Sequence, residues 1–137
     1  MNYEVLEHTA DVRIRVYGET LVDLLRNSAL AMMSLMAGTE AVEPLAEVEF
    51  EIEGETMEEI LVKMLGEILY AHEVREMVFS DVALDLIGGK KLKGRLMGEK
   101  FDPEKHELEL DIKAATYHNL KIQKVNDRFM AEIVFDI

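Results

Sequence analysis

The sequence predicts an α+β fold: two amphipathic helices packed on a largely antiparallel β-sheet, in a single compact domain over residues 1–137. Three observations carry this. Two windows place apolar residues at helical spacing, one running from Leu21 to Met36 and one from Met57 to His72. Several other windows alternate with a period of two, most clearly residues 46–53 and 128–137. The alternating segments number seven or eight against only two helices, and there is no repeat or low-complexity stretch.

Taken in order, residues 2–7 and 12–18 read as short strands joined by the polar connection Glu7-His8-Thr9-Ala10-Asp11. In the second strand Val12, Ile14 and Val16 alternate with Arg13, Arg15 and Tyr17. Thr20 with Asp23 resembles a capping box opening the first helix, whose stripe is Leu21, Leu24, Leu25, Ala29, Met32 and Met36. Gly38 is the expected C-cap. Residues 46–53 form a strand with Val48, Phe50 and Ile52 facing in. Glu47, Glu49, Glu51 and Glu53 face out as a solvated row that discourages edge aggregation.

Thr56 and Glu59 form a second capping box. The stripe that follows, Met57, Ile60, Leu61, Met64, Leu65, Ile68 and Leu69, is the longest helical signal, and His72 at its end belongs at the edge of the core. Residues 77–87 and 92–98 pair through a hairpin in which Gly88-Gly89 supplies positive φ. Lys90, Lys91, Lys93 and Arg95 form the one basic cluster, read as solubilising charge at the hairpin tip, with an RNA or acidic-partner contact as the alternative. Residues 107–117 read as one long strand, continued over 120–124 after a kink at His118-Asn119. Asn126-Asp127 turns into the final strand. That strand has apolar residues on both faces, so it belongs at the centre of the sheet, covered on both sides.

The 137 residues suffice for a core without staples, since a chain of this size buries roughly two thirds of its unfolded surface. The absence of Cys excludes disulfides, zinc thiolates and thiol nucleophiles. No apolar run reaches about 18 residues, and the start lacks signal-peptide regions, so a soluble cytoplasmic protein without a membrane span is expected. The formal net charge of −13 disfavours direct binding to nucleic acid and favours cations, basic protein surfaces or plain solubility.

No phosphate loop, dinucleotide glycine pattern, Ser-His-Asp set or His-Glu-x-x-His motif is present. The residues left to carry chemistry are His8 and Asp11, the segment from Lys113 to His118, and the end Asp136-Ile137. If Asp11 lies beside the C-terminus, its carboxylate, that of Asp136 and the main-chain carboxylate of Ile137 form an all-oxygen cluster. Such donors suit hard cations such as calcium or magnesium. The competing arrangement pairs Asp11 with Arg13 or Arg15 and leaves Asp136 solvated. His8 is open as a ligand, a proton carrier or a turn hydrogen-bonder.

The stretches EHTADVRIRVYGETL, GEKFDPEKHELELDIKAATYHNLKI and VFDI, with LVKMLGEILY between them, resemble the archease family over the whole length. The resemblance implies a protein cofactor rather than an enzyme. Its partner would be an RtcB-type tRNA-splicing RNA ligase. The family promotes guanylate transfer from GTP to the ligase's histidine, supports multiple turnover and can broaden nucleotide use. The resemblance also makes the acidic cluster a metal site, carried onto Asp11, Asp136 and Ile137. The expected cofactor is a divalent metal ion, calcium first, with magnesium or manganese as alternatives. Lys113 and His8 would be accessory, Lys113 by touching a phosphate. A metal-dependent phosphate-ester hydrolase using His8, Asp11 and Lys113, or a chaperone-like binding module, are the other classes.

Overall fold

A computed structural model describes residues 2–5 and 11–137. Two short strands come first, β1 (Tyr3–Val5) and β2 (Asp11–Gly18), then the helix α1 (Leu21–Met36) and a 3-10 turn at Thr39–Ala41. Strand β3 (Ala46–Glu53) and helix α2 (Met57–Arg75) lead into the hairpin β4 (Met77–Ile87) and β5 (Lys91–Lys100). Three strands close the chain: β6 (Ala114–Thr116), β7 (Gln123–Val125) and β8 (Arg128–Asp136). The fold class is the one expected, α+β. The strands form two antiparallel sheets rather than one, however. One has the order β1-β2-β8-β6 with β7 also on β8, and the other has the order β3-β5-β4.

Each helix packs against strands of both sheets, α1 on β2 and β4, α2 on β6 and β3. One continuous apolar cluster results. Ile60, Leu61, Met64, Leu65 and Ile68 of α2 are fully buried in it, each contributing roughly 1.5–3 kcal/mol of burial. His72 sits half-buried at the edge as expected, its Nδ1 2.7 Å from the Met77 carbonyl oxygen. The α1 capping box is complete between Thr20 and Asp23. In α2 the Thr56 hydroxyl accepts from the Glu59 amide, but the Glu59 carboxylate pairs with Lys63 one turn on, at 3.0 Å, instead of closing the box.

Two expectations are corrected together. Gly38 is not the C-cap of α1: Ala37 is, in extended conformation, and Gly38 has a negative φ of −60°. Residues 107–117 are not one strand, because only Ala114–Thr116 pairs in the sheet. The two departures have one cause. The Glu109 and Leu110 amides donate to the Met36 and Leu35 carbonyls at 2.9 and 3.2 Å, and Leu108 bridges Ala37. The segment therefore satisfies the open carbonyls at the end of α1, a task a left-handed glycine would otherwise perform.

The hairpin between β4 and β5 has Gly88 and Gly89 at φ of 61° and 71°, as expected, although β5 is longer than the sequence reading. Gly94 of β5 stands opposite Phe50, and a Cβ there would collide with the Phe50 ring. The row Glu47, Glu49, Glu51 and Glu53 is exposed on the edge strand β3, as expected.

Candidate functional site

Strand β2 turns Val12, Ile14 and Val16 into the core, so Asp11, Arg13, Arg15 and Tyr17 stand on its other face. In β8 Ala131, Ile133 and Phe135 are fully buried, which leaves Met130, Glu132, Val134 and Asp136 on that same outer face. β8 is central, as the sequence suggests, but its outer face is not sealed. Val134 is buried there, whereas Met130 and Glu132 are half-exposed. The polar partners explain this: Arg15 crosses to Glu132 at 2.6 Å, and the Arg128 guanidinium lies 3.9 Å over the Tyr17 ring.

The antiparallel register sets Asp11 directly opposite Asp136. Directly opposed residues carry their side chains on one face with Cβ atoms about 4.5–5.5 Å apart, and like charges so placed repel. On the other flank of β8, Ala114 pairs with Asp136, and the Lys113 amide donates to the Asp136 carbonyl at 2.8 Å. The last strand residue is thus clamped from both sides. The exposed Lys113 sits next in sequence to its partner, and the partly exposed Ile137 follows it. Of the five candidate residues, four are therefore gathered at one end of the five-stranded sheet. His8 lies outside the described residues.

The electrostatics of this end are negative. Among the described residues no basic side chain lies within ion-pair distance of Asp11 or Asp136. The pairing of Asp11 with Arg15 does not form, because Arg15 is held by Glu132 at 2.6 Å and Glu4 at 3.6 Å. The hydrogen bond to Glu132 is the main cause holding the Arg15 guanidinium above its ordinary pKa. The side-chain donors are few, however. Among the described residues no group of three or more His, Asp or Glu converges, so the two side-chain carboxylates alone would give a hard cation too few ligands.

The basic cluster is not a bare tip. Cross-strand pairs neutralise it: Arg95 with Glu47 at 3.3 Å, Lys93 with Glu51 at 3.6 Å, and Lys91 with Glu53 at 3.7 Å. Lys90 reaches Glu55 at 3.5 Å. Glu47, Glu51 and Glu53 of the row read as solvated are the other half of this ladder. His118, at the expected kink, is exposed just beyond the end of β6.

Sequence reasoning missed one polar cluster. His106 is buried, its Nδ1 accepting from the Asp102 amide at 2.9 Å. An amide can only donate, so the ring proton is on Nε2, which donates to Glu99 Oε2 at 3.1 Å. Glu99 also accepts from the Glu43 amide at 2.6 Å and from Lys105 Nζ at 2.8 Å. These contacts, the Glu43 amide foremost, then Lys105, then His106, lower the Glu99 carboxyl from 4.5 to about 2. The spacing of Asp102 and His106 around Pro103 was the signal available. The cluster staples the loop after β5 to the loop before β3, so its role is structural.

The model of the Archease protein family matches residues 3–137. A protein archease of Pyrococcus furiosus is 43% identical over 139 residues, with 98% of each chain covered. One of Methanopyrus kandleri is 41% identical over 140 residues, with 100% of each chain covered. The solution structure of Methanobacterium thermoautotrophicum protein 1598 superposes with a TM-score of 0.82 at 31% identity, covering 99% of both chains. The fold is also that of a Thermotoga maritima crystal structure described as "an archease, possible chaperone", with a TM-score of 0.67 at 20% identity, covering 96% of this chain and 94% of the other.

Proposed function

Because this chain belongs to the archease family, we propose that it is a protein cofactor of an RtcB-type tRNA-splicing RNA ligase, promoting the ligase's guanylylation and multiple turnover. It can also broaden the nucleotides that the ligase uses. The working part is the acidic end of the five-stranded sheet. The observation that carries this reading is the direct opposition of Asp11 and Asp136 in the register of β2 and β8.

Two carboxylates held face to face, with no basic side chain among the described residues at ion-pair distance, fit a divalent ion, calcium first, with magnesium or manganese as alternatives. Asp11, Asp136 and the carboxylate of Ile137 would hold it, with His8 available as a further donor. When bound, such an ion supplies positive charge that can bridge protein carboxylates and phosphate oxygens. The chain's own contribution is placement. The two sheet flanks fix the Asp136 backbone, so the carboxylates are presented on a rigid strand end rather than a loop. Lys113, exposed beside them, is placed to meet a nucleotide phosphate. The negative end also repels bare RNA backbone, in keeping with a protein that acts on the ligase and not on the RNA.

The description of the Thermotoga relative as a possible chaperone supplies the second reading, a general binding module. Adding the protein to its host's RNA ligase and following ligase guanylylation with and without divalent metal separates the readings. The cofactor reading expects faster guanylylation that a chelator abolishes. A chaperone-like module would suppress aggregation of unrelated proteins and ignore the chelator. A phosphate-ester hydrolase would turn over substrate with no ligase present.

A further inference from the structure

Strand β4 is an edge of the three-stranded sheet, and its two halves are treated differently. The first half is covered. Met77, Val78, Phe79 and Val82 are buried, Asp81 is bound by Arg26 of α1 at 2.6 Å, and a bulge breaks the register between Phe79 and Asp81. The second half, residues 83–87, is regular and pairs only with β5. Among the described residues no backbone hydrogen bond reaches it from the other side. Among the usual protections of an edge it carries only the charge of Asp85. It has no proline, no lysine and no bulge, and Leu84 and Leu86 are half-exposed with Ile87 43% exposed.

The charges across the sheet say what would pair there. One cross-strand row reads Glu51, Lys93, Asp85, with Lys93 Nζ 3.6 Å from Glu51. The sign alternates and stops at Asp85, which is exposed, faces Lys93 across the strands and makes no close ion pair among the described residues. The rows on either side end in Ala83 and Ile87, which are uncharged. An open furrow of about 680 Å³ runs over the same face, lined by Glu49, Glu51, Ala83, Asp85, Lys93 and Arg95.

We infer that residues 83–87 of β4 receive an added strand from a basic protein partner, an extended segment with a lysine or arginine between two apolar residues. Its backbone completes the hydrogen bonds of the edge. Its cation continues the row past Asp85, and its two apolar neighbours cover Leu84 and Leu86 on the opposite face. A second copy of this chain fits less well. Each copy carries −13, and antiparallel registers centred on residue 85 or 83 set Asp85 against another aspartate. This edge is separate from the acidic end, and the inference stands whether or not the partner is a ligase.

The test uses the full chain and a labelled octapeptide of alternating valine and lysine, with its valine–glutamate counterpart as control. Fluorescence anisotropy reads the affinity, and amide hydrogen exchange maps the contact. The inference expects the lysine peptide to bind and to protect alternate amides within residues 83–87. Asp85→Lys should weaken the lysine peptide by at least about tenfold and gain the glutamate peptide, with Asp85→Asn in between. Asp85 is exposed, so both variants should keep the wild-type circular dichroism. Equal binding by wild type and Asp85→Lys, protection mapping elsewhere, no binding at millimolar peptide, or β4-dependent dimers in sedimentation would each overturn it.

Discussion

Asp11 and Asp136 lie at opposite ends of the chain, yet they stand directly across from each other where β2 meets β8. Nothing in the described core requires acids at that register position. The residues beside them in the same strands, Val12 and Phe135, are buried and opposed in the ordinary apolar way.

The opposition makes a prediction about stability. Without metal, Asp11→Asn should stabilise the fold by roughly 0.2–1 kcal/mol, because it removes a directly opposed like charge. With metal the order should invert. Calcium at about a hundred times Kd stabilises a binding-competent protein by about 2.7 kcal/mol, and Asp11→Asn should lose most of that gain. Thermal melts of both proteins in calcium and in chelator check it. A calcium response unchanged by the substitution would move the ion elsewhere.

Helix α2 carries Gly66 on its exposed face, with no atom within 4 Å of where a Cβ would sit. Glycine in an exposed helix interior costs about 0.5–1 kcal/mol relative to alanine. Gly66→Ala should therefore raise stability by about that amount in urea unfolding, with ligase activation unchanged. Destabilisation would contradict the open surroundings of this position.

The Glu99 cluster predicts an acid limb. Its carboxyl is held at about 2 in the fold against an ordinary value of 4.5, so the folded state holds its anionic form more tightly than the unfolded chain. The sign follows: this stabilisation is present above the unfolded value and is lost as pH falls from about 4.5 toward 2. Glu99→Gln should be less stable than wild type at neutral pH and should lose less between those two values. Unfolding midpoints measured across that window decide it; parallel curves for the two proteins would refute the assignment.

Much of the fold was legible because the apolar period was unambiguous. Residues 46–53 alternate without a break, and the α2 stripe from Ile60 to Ile68 is continuous; both elements are as read. Residues 107–117 show why periodicity has a limit. Their alternation says that one side is apolar, and Ile112 is indeed buried, but not which backbone they bond. The open carbonyls at the end of α1 took the amides of Glu109 and Leu110, a non-local demand that no window of sequence displays. The split into two sheets was hidden for the same reason. At the candidate site, the residue types were visible but their meeting was only conditional, since it depends on the pairing of the second strand with the last. The fate of the arginines was also unreadable, because Arg15 could serve Asp11 or Glu132, and only the register decides for Glu132.

The most direct test of the central claim is the rate of ligase guanylylation in the presence of the double variant Asp11→Asn, Asp136→Asn, measured beside wild type at saturating divalent metal. The account predicts that the variant folds, as judged by circular dichroism, and that its stimulation of the ligase falls to the level of the ligase alone. Full stimulation by the folded variant would contradict it.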